Sequence, residues 1–189
     1  MADHIQAHTA ASVQMKADAF LALPESSTPT ELVEGAVIVS PAPKVSHQIT
    51  LSKLVTLINA LVPDGLVLFA PTDVYFDENN VVQPDLLWIS EGNTGCQLVE
   101  DAYWKGPPDL IIEVLSPGSA RRDKQEKFNL YQKYWVKEYW IADPAYGVIE
   151  VWQLENAEYK RLGVFGKDDT FTSAVLGRQV IELTGVFQP

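Results

Sequence analysis

Apolar residues along the chain fall into two periods, and the change between them lays out the elements. Val13 to Leu23 carries Met15, Phe20, Leu21 and Leu23 as apolar points of a short helix, broken by Pro24 and the polar run after it. Leu32 to Ser40 reads as a strand pair or one bent strand, with Gly35 permitting the turn and Pro41 and Pro43 ending it. From Ser46 to Leu61 the spacing becomes helical through Ile49, Leu51, Leu54, Leu57, Ile58 and Leu61, and Ser46 is placed to cap the start. Leu66 to Phe76 and Val81 to Ile89 read as two strands, with Asp77-Glu78-Asn79-Asn80 as the hairpin tip.

The second half opens on a loop, Glu91 to Lys105, with a weak helix expected from Leu98 to Tyr103. Asp109 to Leu115 is apolar on both faces, the mark of a central strand. A loop at Ser116-Pro117-Gly118-Ser119 leads to a second helix, Arg121 to Trp135. Strands follow at Glu138 to Ala142, Val148 to Leu154, Tyr159 to Val164 and Val180 to Leu183. Residues 1 to 12 show no pattern and read as a frayed start, so the expected domain is 13 to 189. This order predicts an α/β fold, a mixed sheet flanked by helices and finished by a C-terminal antiparallel β extension.

Charge refines the picture. The net charge of -11 counts against nucleic-acid binding over the whole surface. Yet seven of the fourteen basic residues lie between Lys105 and Lys137, against four acids there, so the centre of the chain is locally basic. With one cysteine, Cys96, neither an intrachain disulfide nor a cysteine-rich zinc site can form. No apolar run reaches the roughly 18 residues of a membrane span, and the start lacks the pattern of a secretory signal. A cytoplasmic setting away from membranes is expected. Nucleotide-cofactor glycine motifs and a nucleophile-elbow serine are also missing.

One acid interrupts the central strand. Glu113 shares a face with Asp109, Ile111 and Leu115, while Leu110, Ile112 and Val114 take the other. A carboxylate there needs a partner. Asp109 is about 13 Å away along the strand and stands at its start, where a solvated Asp is ordinary. Asp85 lies in a different strand; if the two strands pair, its carboxylate and that of Glu113 can converge on one hard cation such as magnesium. On burial physics alone, a structural ion pair and a metal site both stand.

Pro84-Asp85 followed by Ile111-Ile112-Glu113-Val114-Leu115 resembles the PD-(D/E)XK nuclease superfamily, although its lysine position, two beyond the second acid, is Leu115 here. A wider set of motifs resembles the Uma-two-type family of endonucleases. It comprises Glu31-Leu32-Val33-Glu34-Gly35, Ser40-Pro41, His47, Gln83-Pro84-Asp85, Pro108-Asp109-Leu110, Ile112 to Pro117, Asp123, Lys127, Tyr131 and Glu138 to Pro144. The resemblance implies a restriction-endonuclease-like fold and magnesium- or manganese-dependent cleavage of DNA. Asp85, Glu113 and the Val114 carbonyl would be the metal ligands.

It also implies that the lysine has moved to the following helix, as Lys127. Asp123, Lys127 and Tyr131 recur at i, i+4 and i+8 and so share one helical face. Lys124 competes from about 60° round that helix. Apart from the family, Asp123 and Lys127 read as a surface ion pair. Glu31 and Glu34 are candidate auxiliary acids, with Glu34 where the family often has Asp, and His47 is a candidate for phosphate contact or proton transfer. Arg121 and Arg122 are placed to hold backbone phosphate. A homodimer is expected where two strands must be cut. Two other readings stand beside this one: an inactive nuclease-fold protein that binds a partner or dimerises, and a hydrolase of a smaller phosphate ester.

Overall fold

The computed structural model describes residues 14–24, 28–62, 64–116 and 123–187. The expected frayed start and the pair Arg121 and Arg122 lie outside the described residues. In chain order the elements are α1 (Ala17–Leu21), β1 (Thr30–Val33), β2 (Ala36–Val39), α2 (Val45–Leu61), β3 (Leu66–Phe69), β4 (Val74–Asp77), β5 (Asn80–Val82) and β6 (Leu86–Ile89). Then come β7 (Gln97–Val99), β8 (Tyr103–Lys105), β9 (Leu110–Val114), a π-helical turn (Asp123–Lys127) and α3 (Phe128–Lys133). The chain continues through β10 (Glu138–Asp143), β11 (Val148–Glu155), β12 (Glu158–Gly166), β13 (Thr170–Thr172) and β14 (Val180–Glu182).

Two prolines decide how the strands are shared between sheets. Leu66 to Phe76, expected as one strand, breaks around Pro71 into β3 and β4; Val81 to Ile89 breaks around Pro84 into β5 and β6. Proline has no N–H to give to a ladder, so each strand is interrupted there. The halves then join different sheets. One sheet has the order β2-β1-β5-β4-β8-β7, the other β12-β11-β10-β9-β6-β3. The second sheet is mixed: β9 runs parallel to β10, and its other neighbouring pairs are antiparallel.

This mixed sheet with helices on its faces is the α/β architecture that the order of elements predicts, and it agrees with the restriction-endonuclease-like fold that the resemblance implies. On one side, Leu51, Leu54 and Ile58 of α2 pack with Leu86, Leu110, Ile112, Val114 and Trp140. On the other, Leu130 and Tyr131 of α3 pack with Leu87, Ile111, Leu115, Tyr139 and Ile141, together with Val33, Val74 and Val82 of the first sheet. The strand alternation of β9 thus separates two cores, and α2 and α3 face each other across it. The C-terminal extension is antiparallel: β11 and β12 continue the central sheet, and β13 and β14 form their own hairpin.

Three local expectations are corrected. Leu98 to Tyr103 is no helix but the hairpin of β7 and β8, with Leu98 opposite Trp104; pairing of β8 with β4 overrides the short helical pattern. Helix α2 starts one residue before Ser46, and no side chain caps it at Lys44. The second helix opens as a π-helical turn, and Trp135 beyond its end has a left-handed φ of 65°.

Candidate active site

Glu113 is buried on the α3 side of β9, the face that two-residue alternation assigns to it, and is 2% exposed. Its Oε1 accepts hydrogen bonds from Lys127 Nζ at 2.8 Å and from the Tyr131 hydroxyl at 2.6 Å. Burial beside Glu113 and Glu31 pushes the Tyr131 hydroxyl well above its ordinary pKa, so it stays a donor. Lys127 Nζ also lies 2.8 Å from Glu31 Oε1 on β1. The same Glu31 oxygen accepts the Gln83 backbone N–H at 2.9 Å. A buried acid–lysine–acid bridge thus ties β1 of one sheet to β9 of the other through the π-helical turn.

Asp85 stands one residue before β6. Strand β6 pairs with β9 as Leu86 opposite Ile112, and one further step of that register sets Asp85 against Glu113. Asp85 Oδ2 accepts the Val114 N–H at 2.7 Å and faces His47 Nε2 at 3.1 Å. His47, the third residue of α2, is buried. Hydrogen bonding to a carboxylate puts the proton on Nε2, which leaves Nδ1 of the neutral ring as an acceptor. Among the described residues, that Nδ1 has no hydrogen-bond partner, nor has Gln83 Oε1. Gln83 Nε2 donates to Asp73 Oδ1 at 2.9 Å. Burial raises the Asp73 carboxyl above its ordinary pKa; the Gln83 bond opposes this and the Glu31 charge adds to it.

These groups line one cavity of about 310 Å3, whose lining includes Glu31, His47, Gln83, Asp85, Glu113, Val114 and Lys127. Tyr131 lies behind Glu113, fully buried. Lys124, the competing lysine, is bound elsewhere: its ammonium is 2.5 Å from Glu150 Oε1, on a half-exposed surface. Glu34 is not at the cavity. It occupies the β1–β2 turn with φ 49°, exposed, and its nearest cation is Lys133 at 3.8 Å. Asp123 falls on the π-helical turn.

Two residues have a larger part in the site than the sequence assigns them. Glu31 had stood on equal terms with Glu34, yet alternation along β1 distinguishes them: Glu31 shares a face with the core residue Val33, whereas Glu34 falls in the turn. Gln83 was read only as a neighbour of the Pro-Asp pair. The reason for setting Asp109 aside is also corrected. Asp109 is 2% exposed and holds Lys137 at 2.5 Å, with hydrogen bonds from Ser90 and Asn93. Its carboxylate is satisfied by structure.

Among the described residues, no three His, Cys, Asp or Glu side chains converge to cage an ion by themselves. The donors do fit a cation that keeps most of its water. Magnesium takes one or two carboxylates and several waters, and Asp85 and Glu113 supply two hard carboxylates on neighbouring segments. The two hydrogen bonds that the Asp85 carboxylate makes among the described residues both fall on Oδ2. The acceptors His47 Nδ1 and Gln83 Oε1, without a partner among the described residues, suit a donor on whatever enters the site, water or ligand.

Comparison with known proteins finds a family model and solved structures similar to this chain. A family model described as "Uma2: Putative restriction endonuclease" matches residues 17–184. A solved structure, described as that of a putative nuclease belonging to DUF820 from Anabaena variabilis ATCC 29413, matches with a TM-score of 0.75 at 21% identity. The alignment covers 92% of this chain and 97% of that one, and at that identity the likeness is one of fold. No curated protein matches the chain.

Proposed function

The chain belongs to the Uma2 family, and from that premise we propose that it is a divalent-metal-dependent endonuclease hydrolysing DNA phosphodiester bonds. Asp85 and Glu113 hold magnesium or manganese, with the Val114 carbonyl as a further ligand. When bound, such an ion polarises a phosphoryl oxygen and lowers the pKa of a coordinated water. The chain's own residues orient the parts. Lys127 holds Glu113 and presents the one buried ammonium among the described lining residues to the phosphate or the attacking water. Tyr131 fixes the Glu113 rotamer, and His47 fixes Asp85. Arg121 and Arg122, with Lys124, contact backbone phosphate, and Asp123 and Glu31, the acid that lines the cavity in place of Glu34, are auxiliary.

The observation that carries this reading is the 2.8 Å contact of Lys127 Nζ with Glu113. It supports a lysine delivered from the helix in place of the strand position, where Leu115 stands. A homodimer belongs to the reading where both strands of a duplex are cut, and a cytoplasmic site suits a DNA substrate. No helix among the described residues is long and apolar enough to cross a membrane.

The test is cleavage of plasmid and single-stranded DNA with magnesium or manganese by the wild type, Glu113→Ala and Asp85→Asn. Metal-dependent cutting by the wild type, lost in both variants with folding intact, is the expected result. Absence of cutting by the wild type would favour the second reading, an inactive nuclease-fold protein that binds a partner. The same bridge supports that alternative, since Lys127 between Glu31 and Glu113 satisfies both buried acids without an ion.

A further inference from the structure

The acids sit at the bottom of a recess. The side chains of Glu31, Glu113 and Lys127 are each 3% exposed, and that of Asp85 is 19% exposed. The cavity volume of about 310 Å3 lies at the lower end of small-molecule sites, roughly 300–1,000 Å3. Its wall is built from Pro29, Pro41, Pro43 and Pro71 on three separate segments. Proline fixes φ, so such a wall is stiff, and its rings offer flat apolar faces.

A double helix is a convex rod whose affinity comes from rows of Lys and Arg along its phosphates. The described lining carries a single cation, Lys127, already held by two acids. Within the described lining an intact duplex therefore meets few phosphate contacts. The recess does offer two buried acceptors without a partner among the described residues, His47 Nδ1 and Gln83 Oε1. In a duplex the base donors are engaged in pairing; on an unpaired base they are free to meet such acceptors.

We infer that this site takes a single-stranded polynucleotide, one unpaired nucleotide entering between the proline faces so that its phosphate reaches Asp85 and Glu113. The inference rests on the nuclease reading above and goes further by naming the strand state of the substrate. Enzymes that act on nucleotides inside snug pockets require a single strand or an extruded base for the same steric reason.

The experiment uses the full chain and two readouts. Fluorescence anisotropy in calcium measures binding of a labelled single strand, the same sequence as perfect duplex, and a duplex with a central unpaired bubble. Cleavage of the three is then followed in magnesium or manganese. Binding of the single strand and the bubble at least tenfold tighter than the duplex is expected, with cuts confined to unpaired nucleotides. Gln48→Trp, at an exposed lining position of α2, fills the mouth and is expected to weaken single-strand binding at least tenfold with unchanged circular dichroism. Equal binding of single strand and duplex, or no effect of Gln48→Trp, would overturn the inference. Selective single-strand binding without any cleavage would sink the nuclease reading while supporting the pocket's preference.

Discussion

Lys127 lies fourteen residues beyond Glu113, and its ammonium still reaches within 2.8 Å of the Glu113 carboxylate. The contact closes because β9 and the π-helical turn lie against each other and Tyr131, one turn later, grips the same oxygen. Removing the lysine leaves Glu31 and Glu113 buried without their shared cation, and such a break costs about 3–5 kcal/mol. Lys127→Met should lower the melting temperature by about 10 °C, at roughly 2–4 °C per kcal/mol for a chain of this size. Adding Glu31→Gln should recover part of the loss, because one orphaned charge is gone. Calorimetry on the two variants checks both statements; an additive double variant would rule out the coupling.

Lys124 is the control. Its partner Glu150 lies on the outer surface, and exposed pairs contribute about 0–1 kcal/mol. Lys124→Ala should leave the melting temperature within a degree or two and lower metal-dependent cleavage only by the loss of one phosphate contact, while Lys127→Met abolishes cleavage. Side-by-side assays decide which lysine serves the acids, and the opposite outcome would reassign the role to Lys124.

Strand geometry made much of this site readable in advance. Alternation along β9 is local, so the face of Glu113 follows from counting, and the register with β6 needs only that the two strands pair. The long-range parts were hidden. Asp109 looked solvated because its partners Ser90, Asn93 and Lys137 are 16 to 28 residues away. The choice of Glu31 over Glu34 turned on where the β1–β2 turn falls, which Gly35 alone does not fix. Counting Asp123, Lys127 and Tyr131 at i+4 assumed an α-helix; the π-helical turn breaks that period at Lys127. The two interrupting prolines were visible, but not that each would send half a strand to another sheet.

Two aspartates should give pH dependences of opposite sign. Burial pushes Asp109 up, but Lys137, Ser90 and Asn93 together pull its carboxyl below the ordinary 3.8. Its ionised form is therefore stabilised by folding: the contribution is present above pH 3.8 and is lost as pH falls through the lower folded value. Asp73 is raised by burial, with Glu31 adding to the shift despite the Gln83 bond. Its contribution is present below 3.8 and lost as pH rises through the higher folded value. Asp109→Asn should destabilise more at pH 7 than at pH 3. Asp73→Asn, which keeps an acceptor for Gln83, should be neutral or stabilising at pH 7. Urea titrations at the two pH values test both, and a parallel response of the two variants would contradict the assignment.

Cys96 should be inert in the folded protein. Burial, with the Asp109 charge adding to it, pushes its thiol up to about 12. At pH 8 that leaves a thiolate fraction on the order of one in ten thousand, and the thiolate is the reactive form. A disulfide reagent should label it only after denaturant is added. Rapid labelling of the native chain would show that the β7 region opens.

His47 gives the last test, because it touches Asp85 and is not one of the apolar residues of either core. Its Nε2 bond and the Val114 N–H fall on the same carboxylate oxygen, so the pair sets the direction of the other one. Partners that orient a metal-binding carboxylate typically contribute 10–100-fold in affinity. His47→Ala keeps the Val114 bond and should lower manganese affinity by about tenfold, measured by calorimetric titration, with a smaller change in melting temperature than Lys127→Met. Asp85→Asn should remove manganese binding altogether. Equal manganese affinity in the wild type and both variants would mean that the ion, if bound at all, sits away from Asp85, and the roles given to Asp85 and His47 would fall together.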